Sequence, residues 1–212
     1  MNKPANCHEY DCVVMGGGPA GSTAAALVAE AGFSTLLVER ERMPRTHIGE
    51  SLMPESYWIF ERLGVLDKLQ RSPFARKVGV QFVNHTGKES QPFFFRSHDD
   101  RVSSETWHVD RGDFDKMMFD NAAEKGAECR DGVRVLEVLM DGEAARGVRL
   151  QGAATEGRPT TEVAARVVID ATGQQARLGS RLGLREINPN LRKASIWQHF
   201  RGGTRDEEGG GV

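Results

Sequence analysis

Long apolar runs are missing from this 212-residue chain. Stretches such as Val13 to Met15 and Leu36 to Val38 fall far short of the roughly 20 residues a membrane helix needs, so no span is expected. An excess of charge of one sign is missing too. Twenty-eight lysines and arginines stand against 30 acids for a net charge of -2, with the signs interspersed. That balance offers no electrostatic case for a nucleic-acid partner. Cysteine is scarce, and Cys7, Cys12 and Cys129 lie at spacings that make neither a metal site nor a redox pair. His85, His98 and His108 also lack ligand spacing, so no metal is expected. The opening residues Met1-Asn2-Lys3-Pro4-Ala5-Asn6 carry no apolar secretory core. A reducing cytoplasm with buried or incidental thiols is the expected setting.

What is present is a glycine loop between two apolar runs. Val13-Val14-Met15 leads into Gly16-Gly17-Gly18-Pro19-Ala20-Gly21, an alanine-rich segment follows to Ala31, and Ser34 to Val38 ends in the acid Glu39. Strand, Gly-x-Gly-x-x-Gly, helix, strand and acid together form a dinucleotide-binding fingerprint. Gly16 serves the tight turn, Gly18 the close approach of a pyrophosphate and Gly21 the packing of helix on strand. The helix N-terminus holds the diphosphate charge. A carboxylate at Glu39 suits ribose hydroxyls and repels a 2′-phosphate, which disfavours NADP despite Arg40 and leaves NAD and FAD open. The plainer alternative is a solvated acid that ends a strand.

Further along, Met53, Tyr57, Phe60, Leu63 and Leu66 recur at helical spacing, interrupted at Gly64. Val78, Val80 and Phe82 alternate and Pro92 to Arg96 returns past a turn at Asn84 to Lys88, which predicts a β-hairpin or the start of an inserted sheet. Phe93-Phe94-Phe95 reads as a buried sheet face more readily than as a substrate pocket. Ser97 to Ser104 reads as a mobile polar loop before a short strand at Thr106 to Val109. Asp110 to Asp113 caps a helix through Lys125. Strands follow at Gly132 to Met140, Arg146 to Gln151 and Thr161 to Ile169, the last running into Asp170-Ala171-Thr172-Gly173. Ser195 to Phe200 resembles the first strand of something larger.

Several of these motifs together resemble the FAD-dependent monooxygenase and geranylgeranyl-reductase superfamily, and within it the FAD-dependent halogenases of phenolic or pyrrolic precursors. They are Gly16 to Gly21, Glu39-Arg40, Pro44-Arg45-x-x-Ile48-Gly49-Glu50-Ser51, Val109-Asp110-Arg111-x-x-Phe114-Asp115 and Asp170 to Gly173. The resemblance implies FAD as cofactor and an α/β fold: a Rossmann-like FAD-binding domain of the glutathione-reductase type with an inserted β-sheet substrate layer. The expected division is 1–76 and 109–190 for the FAD-binding domain, 77–108 for the inserted layer and 191–212 for the start of a substrate domain. By resemblance Gly16, Gly18, Pro19, Ala20 and Gly21 hold the diphosphate and Glu39 the adenosine ribose, with Arg40 and Arg45 flanking the adenosine and diphosphate. Ile48, Gly49, Glu50 and Ser51 approach the flavin side, Arg111 the diphosphate and ribityl region, and Val135 the adenine through its backbone, with Asp170 also at the cofactor. A guanidinium fork suits phosphate oxygens independently of any family, while an ion pair of Arg111 with Asp110 or Asp113 is the plainer alternative.

Lys77, in Lys-Val-Gly-Val-Gln-Phe, matches the segment that carries the halogenases' catalytic lysine. The implied reaction uses reduced FAD, supplied by a partner flavin reductase or NAD(P)H, with oxygen and halide. Hypohalous acid would then be directed by Lys77 onto an electron-rich aromatic carbon, and burial of the lysine would lower its pKa toward use. An ordinary solvated lysine is the alternative. The rival functions are an FAD-dependent monooxygenase, a prenyl-chain reductase, or a non-catalytic nucleotide-binding module. The family's later Gly-Asp segment and its tryptophan- and proline-containing signature do not occur within these residues, so the chain is expected to be the N-terminal part of a longer enzyme.

Overall fold

The computed structural model of the chain describes residues 8–152, 160–191, 194, 196–198 and 201–202. They divide into two compact units, one built from the residues up to 47 with 111–185, the other from 48–110 with those from 186 onward. The sequence had put its first boundary at 76/77, where the hydrophobic period changes from helix to strand. By compactness the first division falls at 47/48.

The first unit opens with strand β1 (His8–Met15), helix α1 (Pro19–Glu30) and strand β2 (Thr35–Val38). Cys12 to Met15 and Thr35 to Val38 are buried without alternation, as expected of parallel strands covered on both faces. β1 runs parallel to β2, with Val14 opposite Leu37.

The second unit contains α2 (Tyr57–Leu63) and α3 (Leu66–Arg71). The single helical period read from the sequence is thus split where Gly64 ends α2 with φ 74°, a left-handed cap that suits glycine. Two antiparallel ribbons follow: β3 (Ala75–Lys77) pairs with β6 (Thr106–His108), and β4 (Gly79–Val80) with β5 (Phe93–Phe94). The expected alternation of Val78, Val80 and Phe82 is corrected here. Lys77 and Gly79 are the buried positions, and Phe82 is 70% exposed beyond the end of a two-residue strand. The buried face is set by close backbone packing, since a Cβ on Gly79 would lie 2.6 Å from the Phe93 carbonyl oxygen. Phe93 and Phe94 are 42% and 41% exposed, so they do not form the expected buried face; their ribbon is too short to be covered. The Ser97 to Ser104 stretch is also more built than a mobile loop. Arg101 bonds Asp99 at 2.7 Å and Glu55 at 3.0 Å, and Ser103 and Ser104 are buried.

The chain returns to the first unit with α4 (Arg111–Glu124), β7 (Glu128–Arg130), β8 (Val133–Asp141), β9 (Ala144–Gly152), β10 (Thr161–Asp170) and the short α5 (Arg177–Arg181). Its six strands lie in the order β7-β2-β1-β10-β9-β8. The first four are mutually parallel, and β8, β9 and β10 form an antiparallel meander. Strand β7 was not anticipated, because Glu128-Cys129-Arg130 has no apolar pattern. It joins the sheet by backbone pairing to Leu36–Val38, and the Tyr10 hydroxyl of β1 donates to Glu128 and accepts from Arg130. Val13, Met15, Leu36 and Val38 share one core with Val135, Val138, Val148 and Val163. Opposite them, α1 and α4 supply buried Ala25, Ala26, Phe114, Met118 and Ala122. This is the α/β fold expected. Ile196 to Gln198 are described outside any strand, and the rest of the strand expected at 195–200 lies outside the described residues.

Candidate functional site

The glycine loop fits its surroundings by three different constraints. Gly16 has φ +108°, and a Cβ there would lie 2.4 Å from the Ala171 carbonyl oxygen. A Cβ on Gly21 would fall 1.8 Å from the Gly16 carbonyl oxygen, so α1 can seat on the loop only with a bare backbone at that position. Gly18 differs from both. Its φ of -75° and ψ of -176° are ordinary extended values, and a Cβ would meet only Arg45 Nη2, at 3.5 Å. Neither conformation nor protein packing calls for glycine there; open space for a closely approaching group does. Gly18 caps α1 without a side-chain bond, and the first turn carries no acid, so a positive dipole end suited to an anion points out of the helix. These features fit a diphosphate.

The loop opens onto a cleft of about 220 Å³. Of the residues anticipated from sequence, Gly16, Gly18, Pro19, Ala20, Glu39, Arg40, Arg45, Arg111 and Val135 line it. Gly21 and Asp170 do not. Asp170 accepts hydrogen bonds from Thr172 N at 3.0 Å and Leu178 N at 2.6 Å, and so fixes the Ala171 to Gly173 turn that forms one wall. Burial pushes the Asp170 carboxyl up, but these bonds and that of the Thr172 hydroxyl outweigh it and hold the group below the usual carboxylate range. His47, Arg134, Gln175 and Arg177 also line the cleft and were missed; they lie on a loop, on β8, on a 3-10 turn and at the start of α5, where polar side chains look like an ordinary solvated surface. Ile48, Gly49, Glu50 and Ser51 belong to the second unit. There Val109 N bonds the Glu50 carbonyl at 2.8 Å, Gly49 N bonds Glu50 Oε2 at 3.0 Å, and Ser51 bridges to His108.

Glu39 is 5% exposed, which corrects the solvated alternative. Its Oε2 accepts from Gly17 N at 2.9 Å and its Oε1 from Glu41 N at 3.0 Å. Arg45 Nη2 stands 3.5 Å from Glu39 Oε2, and Arg45 Nη1 donates to Asp115 Oδ2 at 2.8 Å. Arg111 reaches the same carboxylate, four residues on, through Nε at 2.8 Å and Nη2 at 3.0 Å. Asp115 was quoted only as part of a motif; its i,i+4 spacing from Arg111 on α4 was the signal for this pair.

Lys77 is only 4% exposed, so the solvated alternative is corrected here as well. Its Nζ hydrogen-bonds the Leu52 carbonyl at 3.3 Å and lies 5.3 Å from the Phe95 ring centroid. No carboxylate pairs with it among the described residues, and burial pulls its pKa down from the usual lysine value. Its cross-strand neighbour Thr106 is buried, and Thr106 Oγ1 has no hydrogen-bond partner among the described residues. Thr106→Val is therefore expected to stabilise the fold by about 1 kcal/mol, since a buried unpaired hydroxyl is lost at equal volume. Urea denaturation measures this, and a loss of stability would mean that the hydroxyl has a partner in solution.

Among the described residues, no cluster of three or more His, Cys, Asp or Glu could hold a metal, and no helix is long and apolar enough to cross a membrane.

Sheet order, glycine loop and basic cleft define a dinucleotide-binding fold. Residues 9–197 match the FAD binding domain family, and the chain belongs to it. Its relatives include flavin-dependent halogenases. It is 33% identical to the 1H-pyrrole-2-carbonyl-[peptidyl-carrier protein] chlorinase of Pseudomonas fluorescens, over 91% of this chain and 46% of that protein. The structure of the myxobacterial chondrochloren halogenase superposes with a TM-score of 0.72 at 36% identity, covering 79% of this chain and 38% of that one. A geranylgeranyl bacteriochlorophyll reductase-like protein of Thermoplasma acidophilum gives a TM-score of 0.64 at 25% identity, covering 85% and 43%. The chain thus spans less than half the length of each.

Proposed function

We propose that the chain forms the cofactor-binding part of a flavin-dependent halogenase that acts on an electron-rich aromatic substrate with halide and oxygen. The observation that carries this reading is Lys77, a buried amine whose partners are one carbonyl and one aromatic face. Bound reduced FAD supplies the electrons that activate oxygen, delivered by a partner flavin reductase or NAD(P)H in a reducing cytoplasm. The N-terminus of α1, Gly18 and the Arg45 and Arg111 guanidiniums hold the diphosphate. Gly16, Pro19, Ala20 and Gly21 shape that loop. Glu39 takes the adenosine ribose with Arg40 beside it, and the Val135 backbone faces adenine. Asp170 holds the wall turn in place. Ile48, Gly49, Glu50 and Ser51 serve the flavin side, and the ribbons between 77 and 108 begin the substrate layer.

Lys77 acts on hypohalous acid. With its pKa lowered, more of the amine is neutral near physiological pH, and its nitrogen lone pair can accept the electrophilic halogen as the hydroxide leaves with the amine proton as water. The aromatic carbon then takes the halogen from nitrogen, the amine regains a proton, and the ring loses one. Shielding by buried surroundings keeps the halogen from competing water.

Given reduced FAD, oxygen and bromide, the protein is expected to convert a phenolic or pyrrolic acceptor to a product in which bromine replaces hydrogen, read by mass spectrometry. A product that gains oxygen instead, or alkene reduction that consumes no halide, would replace this reading with a monooxygenase or a reductase.

A further inference from the structure

The carboxylate of Asp115 is completely buried one turn into α4, with a side-chain exposure of 0%. On it converge two guanidiniums from distant parts of the chain. Arg111 presents its Nε and Nη2 edge as a fork, at 2.8 and 3.0 Å, and Arg45 adds Nη1 at 2.8 Å. Both arginines line the cleft with side chains only 8% and 10% exposed, and Arg45 Nη2 stands over Gly18.

We propose that Asp115 is a positioning residue for the diphosphate of the bound dinucleotide, acting through Arg45 and Arg111; the assignment rests on the cofactor reading above. Two long cationic side chains brought to one cleft wall repel each other and lose rotamer freedom when ordered. A shared carboxylate relieves both problems. The fork fixes the plane of Arg111, and the third bond fixes Arg45, whose Nη2 also stands 3.5 Å from Glu39 Oε2. Asp115 does not itself line the cleft.

The sign of its effect separates positioning from simple charge. Asp115 is negative, so its field opposes an incoming diphosphate, and removing that charge alone would tighten binding. Removing a positioner loosens it.

The test is calorimetric binding of ADP and of adenosine to the full chain. For Asp115→Asn we expect ADP to bind about tenfold more weakly, the scale seen when the partner that orients a binding residue is lost, and adenosine to stay within about twofold. ADP binding as tight as in the wild type, or tighter, overturns the assignment. Should the variant lose its fold by circular dichroism, Asp115→Glu decides, because it keeps the charge and moves the carboxylate off the fork. The same loss confined to ADP supports positioning, and unchanged ADP affinity overturns it. A wild-type chain that binds no ADP overturns the cofactor reading and this assignment with it; a wild type that binds ADP and variants that bind it equally well overturn the assignment alone.

Discussion

Replacing Lys77 by methionine is expected to lower the proposed halogenation by about 10²-fold or more while making the protein more stable. The two effects have one cause. The ammonium of Lys77 is buried without a carboxylate among the described residues, so the fold bears a desolvation cost that a similar-sized apolar side chain does not; a gain of about 1 kcal/mol is expected at neutral pH. The pH dependence follows from the lowered pKa. Below the folded-state pKa the charged amine imposes its full cost. Between that value and the ordinary lysine value the folded protein sheds the proton more readily than the unfolded chain, so wild-type stability climbs with pH. The advantage of methionine should be greatest below the folded-state pKa and vanish above the ordinary lysine pKa. Turnover measured beside denaturation curves at several pH values checks both halves. A variant that halogenates normally removes Lys77 from the chemistry, and one that is less stable at neutral pH contradicts the burial argument.

The second large effect lies in the glycine loop, where two similar substitutions should behave differently. Gly21→Ala forces a Cβ to 1.8 Å from the Gly16 carbonyl oxygen, a clash with backbone that only a shift of α1 can relieve. A loss of about 3 kcal/mol is expected, and dinucleotide binding goes with it because Gly16 and α1 form the cradle. Gly18→Ala should leave stability within about 1 kcal/mol of the wild type, since its backbone is ordinary and the Cβ meets only Arg45 Nη2 at 3.5 Å. Its ADP affinity should nevertheless fall, because the methyl group enters the space next to the helix N-terminus. Urea denaturation together with ADP titration separates the two. If Gly18→Ala binds ADP as well as the wild type, the diphosphate does not sit against that residue.

The parts of the molecule legible in sequence are those where one physical demand acts alone. Parallel strands buried on both faces must be apolar throughout, so β1, β2 and the loop between them were plain, and the meander of β8, β9 and β10 followed from its turns. Where two demands compete, the pattern misleads. Phe82 alternates correctly with Val78 and Val80 yet stands in solvent, because Gly79 must lie against the Phe93 backbone and the ribbon ends at Val80. Strand β7 is held by backbone pairing to β2 and carries Glu and Arg at its ends, so hydrophobicity gave no sign of it. Within the cleft, single residues of recognised motifs were readable, whereas Asp115 was legible only as the last residue of a motif, four positions beyond Arg111. Its role emerges only when α4 brings Arg111 to it and the chain after β2 brings Arg45.

Glu39 links two properties that an engineer would prefer to change separately. Its carboxylate already holds the Gly17 and Glu41 amides, so the side chain expected to choose the nucleotide also ties down the turn that cradles it. An attempt to convert the cleft to a 2′-phosphorylated dinucleotide by neutralising this acid would loosen the loop together with the preference. The route to altered nucleotide choice therefore runs through at least two simultaneous changes, one to admit the phosphate and one to re-anchor Gly17, and single-step variants would pass through a weakened binder.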